Sequence, residues 1–138
     1  MLLKGKTING GIAEGEAIVS KKAFSFLGDL DVRTGKVQPE GHDLQGQSIA
    51  GKVFVFPIGK GSTVGPNIAY AAKKLGNTPV AIVCVEAEPV MAMVAIMNDI
   101  PMVAGFDNDP LEAIRTGDYL RVDGYSGTVE VIEATPRA

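Results

Sequence analysis

The sequence predicts an α/β fold, and three observations carry that prediction. Two apolar runs, Val53-Phe54-Val55-Phe56 and Val80-Ala81-Ile82-Val83-Cys84-Val85, have the length and unbroken hydrophobicity of strands buried on both faces. Each is followed by a helical pattern with proline near its start, at Pro66 and at Pro89. The chain then closes on two alternating segments joined by Asp123-Gly124-Tyr125-Ser126-Gly127, a hairpin signal. A mainly β first third, strand–helix alternation in the middle and a hairpin at the end make one α/β domain over residues 1–138.

The elements follow in order. Residues 13–20 read as a strand that Gly10, Gly11 and Gly15 are expected to break or bulge. Residues 24–37 have weak periodicity and contain Gly28 and Gly35, so they read as an ordered loop. Residues 51–57 form the strand expected at the centre of the sheet. Residues 66–75 form a helix ended by Gly76-Asn77, and residues 79–85 the next strand. Glu88-Pro89 opens a second helix, the acid complementing the dipole and the proline fitting the first helical position. On that helix Val90, Met93, Val94 and Met97 make one face, while Met91, Ala92, Ala95 and Ile96 make another that is also apolar. A helix apolar all round is buried on more than one side, here by the domain itself or by another subunit. Residues 100–104 are a short strand. Asp109-Pro110-Leu111-Glu112 reads as a capping box, and residues 119–122 and 128–132 are the arms of the hairpin.

Composition narrows the function. A formal charge of −3 with scattered Lys and Arg lacks the clustered basic surface of a nucleic-acid binder. Met1-Leu2-Leu3-Lys4-Gly5-Lys6 has no signal-peptide core, and no run approaches the length of a membrane span, so a cytoplasmic protein is expected. The single cysteine, Cys84, lies in an apolar strand and reads as a small core residue. One cysteine allows no intrachain disulfide and no metal site of this chain's own. The single histidine, His42, sits in a polar loop without companion ligands and reads as structural.

The segment richest in chemistry is Gly59-Lys60-Gly61-Ser62-Thr63-Val64-Gly65-Pro66, between the first apolar strand and the first helix. It is not a P-loop, because Lys60 is followed by Gly61 and the upstream glycine is missing. It is a poor dinucleotide fingerprint, because Val64 stands where the third glycine belongs. The glycines would let the backbone take positive φ and approach a ligand. The helix N-terminus favours an anion, with Ser62 and Lys60 placed to hold a carboxylate or phosphate. The commoner use of such a hydroxyl is a helix N-cap, which Ser62 or Thr63 could supply.

Several blocks together resemble the small subunit of the aconitase X family, in its archaeal branch: Ser25-Phe26-Leu27-Gly28, Thr34-Gly35, His42-Asp43-Leu44-Gln45-Gly46, residues 51–57, Gly59-Lys60-Gly61-Ser62-Thr63, Glu86-Ala87-Glu88-Pro89 and Ile100-Pro101. The resemblance covers nearly the whole chain. It implies a β/β/α swivelling-domain fold and a partner, a large subunit carrying a [4Fe-4S] cluster. It implies dehydration of (R)-5-phosphomevalonate to trans-anhydromevalonate 5-phosphate, in a modified mevalonate route to isoprenoids. It places the family's catalytic serine on Ser62, with Lys60, Gly61 and Thr63 as the substrate-binding candidates, Thr63 more a cap or support than a ligand. His42 receives no role from it. The residues agree with this: loss of water from a β-hydroxy acid needs a base, and serine becomes one only where dipoles or cations stabilise its alkoxide. With one cysteine, this chain is at most half of such a site.

Three rivals remain to be weighed. A small subunit of cis-3-hydroxyproline dehydratase would keep Ser62 and the cluster-bearing partner but take a substrate without phosphate. A phosphohistidine swivelling domain is suggested by residues 100–105 and 117–124, but the turn before the helix carries Ser62-Thr63-Val64 and no histidine. A non-catalytic assembly subunit would dispense with the Ser62 hydroxyl altogether.

Overall fold

The computed structural model describes residues 1–136. In chain order the elements are β1 (Leu2–Lys4), β2 (Lys6–Asn9), β3 (Ile12–Val19), α1 (Phe26–Asp29), β4 (Val53–Phe56), α2 (Gly65–Lys74), β5 (Ala81–Cys84), α3 (Pro89–Met97), β6 (Met102–Ala104), α4 (Pro110–Ala113), β7 (Tyr119–Asp123) and β8 (Thr128–Glu133). The strands lie in the order β1-β8-β7-β3-β4-β5-β6-β2. The run β3-β4-β5-β6 is parallel, as its helical crossovers require. The flanking pairs β1–β8, β8–β7, β7–β3 and β6–β2 are antiparallel.

The sheet wraps round on itself. Its two outermost strands, β1 and β2, are separated in sequence only by Gly5, so their ends stand within about 7 Å. The β7–β8 turn closes the gap: Gly5 N–H donates to Gly127 O at 2.8 Å, and Gly124 N–H donates to Gly11 O at 2.7 Å. Side-chain alternation then makes two cores from the same strands. Val53, Val55, Ala81, Val83 and Val103 face Leu3, Leu120, Val122 and Val129 inside the wrapped sheet. Phe54, Phe56, Ile82, Cys84 and Met102 face Ala69, Ala72, Met91, Val94 and the loop residues Phe24, Phe26 and Val37 on the helical side. Two β layers and one helical layer result.

The central strand, both long helices and the terminal hairpin stand where the sequence places them. Two expectations need correction, at Gly15 and at Asp109. Gly15 does not interrupt β3, which runs unbroken for eight residues with Gly15 paired to Leu120. Its role is contact: a Cβ there would meet Gly51 O and Val80 Cγ2, each at 3.3 Å. The first ten residues add two strands, β1 and β2, that local pattern did not reveal. The capping box at Asp109 is half made, since the Asp109 carboxylate accepts Leu111 N–H but Glu112 returns no bond. Helix α3 buries Met91, Val94 and Ala95 and leaves Met93, Ile96 and Met97 exposed.

The loop of residues 24–49 is ordered by its own apolar side chains. Phe24, Phe26, Leu30, Val37, Leu44 and Ile49 are all buried. Phe24 stands edge-on to Phe26 at 5.4 Å and to Phe54 at 4.9 Å, geometries that aromatic quadrupoles favour. α1 is little more than a turn, because Leu27 and Gly28 leave helical torsions and Gly28 takes φ +86°.

Candidate active site

The glycine loop lies at the carboxyl ends of the parallel strands, where open α/β sheets place their ligands. β4 leads into it through Pro57 and Ile58. On one side the loop continues the sheet: Gly59 bridges Phe24, Phe24 N–H donates to Ile58 O at 3.1 Å, and Lys60 N–H donates to Phe24 O at 2.9 Å. The Lys60 ammonium reaches the same segment and pairs with Asp29 at 2.9 Å. Asp29 is buried and also accepts Ser25 N–H at 2.9 Å. On the other side lies the start of α3, where the Glu88 carboxylate accepts Val90 N–H at 2.8 Å and Met91 N–H at 3.0 Å.

Ser62 and Thr63 do not cap α2. The helix begins at Gly65, its N-cap is Val64, and no side chain bonds to the free N–H groups of its first turn. Instead the Ser62 carbonyl accepts Gly65 N–H at 2.9 Å, so the serine sits in a tight turn one step before the helix. Its side chain is half-buried, and among the described residues its hydroxyl has no hydrogen-bond partner. The expected cap would have consumed this hydroxyl; the turn leaves it available.

The N–H groups of Gly61, Ser62, Thr63 and Val64 also donate no bond among the described residues. Four successive N–H groups are thus left without a bond among the described residues. In the helix itself the donors are fewer than the sequence suggests, because Gly65 N–H is taken by Ser62 and Pro66 has none. Positive φ, expected at the loop glycines, is absent at Gly59, Gly61 and Gly65. At Gly59 close packing leaves no room for a side chain, since a Cβ there would stand 2.6 Å from Glu88 Oε1 and 2.9 Å from Met91 Cβ.

Lys60 brings a charge that is already paired, but an ammonium has three donors and Asp29 uses one. His42 lies behind the site. Its side chain is only 5% exposed, its ring stands edge-on to Phe24, and its Nδ1 accepts Leu44 N–H at 3.0 Å. It shapes the loop from beneath.

The residues of this chain do not fit an iron–sulfur cluster. Cys84 is fully buried in β5, and burial, reinforced by the Glu88 charge, pushes its thiol far above the usual range, so the thiolate is disfavoured. A single inert thiol cannot replace the several thiolates that such a cluster takes.

Beside Ser62 an apolar groove of about 330 Å³ runs between α2 and α3, lined by Thr63, Pro66, Asn67, Val90, Met93 and Met97. Among the described residues no helix is long and apolar enough to cross a membrane.

The aconitase X swivel-domain model matches residues 2–131 of this sequence. The chain belongs to the aconitase X swivel-domain family. It is 53% identical over 133 residues to the phosphomevalonate dehydratase small subunit of Thermococcus kodakarensis, covering 96% of this chain and 98% of that one. It is 49% identical over 131 residues to the protein of the same name in Methanosarcina acetivorans, covering 95% and 91%. The crystal structure of Thermococcus kodakaraensis aconitase X in its holo-form superposes with a TM-score of 0.90 at 53% identity, covering 96% of this chain and 99% of that one. The β/β/α arrangement is thus that of the aconitase X swivel domain.

Proposed function

We propose that this chain is the small subunit of a hydro-lyase that dehydrates (R)-5-phosphomevalonate to trans-anhydromevalonate 5-phosphate. The observation that carries this reading is the half identity, over almost full length, to small subunits of phosphomevalonate dehydratase. The local geometry supports a defined role for the chain. Ser62 is the general base that takes the proton from the carbon beside the substrate carboxylate. Its hydroxyl is uncommitted, and the unpaired N–H groups of residues 61–64 offset the charge of the alkoxide and of an anionic substrate group. Gly61 and Thr63 contribute backbone donors, and Lys60 a cation whose position Asp29 fixes.

The cluster belongs to the large subunit, where Lewis acidity toward the substrate hydroxyl is what it supplies. Such a subunit has to cover this end of the sheet to bring its half of the site to Ser62. The α2–α3 groove, with Met93 and Met97 about half exposed and Ile96 exposed on the same helix, borders that approach and gives it an apolar seat. The reading is tested by reconstitution. The isolated chain is expected to be folded, colourless and inactive, and addition of the large subunit under anaerobic conditions to restore dehydration of (R)-5-phosphomevalonate. Turnover of cis-3-hydroxyproline in its place would assign the other dehydratase. Turnover by the isolated chain would refute the reading outright.

A further inference from the structure

Glu88 is an unusual residue to find capping a helix. Short side chains, Ser, Thr, Asp and Asn, are the favoured N-caps, because they reach the first-turn N–H groups without strain. Glu88 nonetheless caps α3 with both oxygens, Oε2 on Val90 N–H and Oε1 on Met91 N–H. These two bonds fix the plane of the carboxylate and offset its charge. Its extra length brings the same two oxygens against the glycine loop. A Cβ on Gly59 would lie 2.6 Å from Glu88 Oε1 and 2.9 Å from Met91 Cβ. A Cβ on Gly61 would lie 3.1 Å from Glu88 Oε2 and 3.5 Å from Val90 Cγ2. Neither glycine has positive φ, so it is this contact that disfavours a side chain: at Gly59 something would have to shift, and at Gly61 the fit would be tight.

The opposite side of the loop is pinned by Phe24 and Asp29, through the Gly59 bridge, the Lys60 N–H bond and the Lys60 ion pair. The loop is therefore held between two walls, and Ser62 follows immediately. We propose that Glu88 is a positioning residue for Ser62: its capping carboxylate is the stop against which Gly59–Gly61 rests, so the first turn of α3 sets where the serine hydroxyl stands. The inference rests on the reading of Ser62 as the base. Misplacing a reacting group by about 1 Å can cost ~100-fold in rate, so a stop of this kind matters to turnover more than to folding.

The test uses the assembled complex with (R)-5-phosphomevalonate. Glu88→Asp keeps a favoured cap but withdraws the carboxylate from the loop. It is expected to lower kcat about 10-fold with KM changed less than about 3-fold, the signature of lost positioning. Gly61→Ala pushes the loop off its stop and is expected to lower kcat similarly. In the double variant the added methyl occupies the space that Glu88→Asp vacates, so the double variant is expected to be more active than Gly61→Ala alone. Circular dichroism and co-elution with the large subunit confirm that each variant folds and assembles; if Glu88→Asp does not, Glu88→Ser, another favoured cap, carries the same expectations. Wild-type kcat in the assembled Glu88→Asp complex, or simple multiplication of the two losses, would overturn the inference even where Ser62→Ala abolishes turnover. Full activity of Ser62→Ala would overturn it together with the reading of the base.

Discussion

Replacing Ser62 by alanine separates chemistry from stability more cleanly than any other change in this chain. A capping serine would lose about 1 kcal/mol of helix stability on truncation. Ser62 is no cap: α2 starts three residues later, and among the described residues the hydroxyl has no partner to lose. Only a half-buried oxygen is removed, a change expected to lie within about 0.5 kcal/mol. For a domain of this size that is a melting shift of about 2 °C or less. The backbone bond from Gly65 N–H to the Ser62 carbonyl is untouched, so the turn persists. If Ser62 is the base, kcat falls by at least ~100-fold, equivalent to about 2.7 kcal/mol of transition-state stabilisation, with KM nearly unchanged. The assay is steady-state dehydration of (R)-5-phosphomevalonate by the anaerobically reconstituted complex, beside a thermal melt of the small chain alone. An assembled mutant complex that keeps more than about a tenth of wild-type turnover refutes the base. A melting loss of several degrees refutes the uncommitted hydroxyl.

Other perturbations test the frame around it. Cys84 should resist thiol reagents in the native chain and react only after unfolding, as a timed labelling experiment would show. Because burial raises its thiol in the folded state, the unfolded chain releases the proton first; stability should therefore fall as pH rises above about 8.5, by up to ~1.4 kcal/mol per pH unit, and Cys84→Ala should remove that slope in melts taken at increasing pH. Met93→Glu with Ile96→Glu should leave the isolated fold intact, both residues being exposed, but weaken co-elution with the large subunit by more than tenfold in affinity, a loss of about 1.4 kcal/mol. Lys60→Ala leaves buried Asp29 with only Ser25 N–H; with the lysine half in solvent the cost should be about 1 kcal/mol in denaturant melts, and Asp29→Asn in the same chain should recover part of it.

What the sequence made legible follows from where local chemistry decides structure. Val53–Phe56 could only be a strand buried on both faces, and it is the central one. Proline at Pro66 and Pro89 and the positive φ of Gly76 marked helix ends that local torsions enforce. The strands β1 and β2 were illegible because their pairing is remote: Leu3 aligns with Val129, and Thr7 with Val103. Gly15 misled for the same reason, since its neighbours Gly51 and Val80 come from other strands. Within the site, the residue types pointed to Ser62 and to Lys60, but not to Asp29 or Glu88. Asp29 lies in a segment without periodicity and meets Lys60 only through the parallel bridge of Phe24 to Gly59. Glu88 was legible as an acid at a helix start, and the contact that gives it a second consequence crosses from β5 to the loop after β4.

The bonds that hold the loop bear on when the site forms. Within this chain residues 58–61 are held by the Phe24 bridge and its two backbone bonds, the Asp29 pair, and the packing against Glu88 and Met91. None of them consumes the Ser62 hydroxyl or the N–H groups of residues 61–64. These restraints hold the loop that leads to Ser62, and the hydroxyl and N–H groups of residues 61–64 carry no bond among the described residues. A large subunit docking on a turn held in this way would divert little of its binding energy into ordering the loop. The wrapped sheet and the first turn of α3 hold that turn in place.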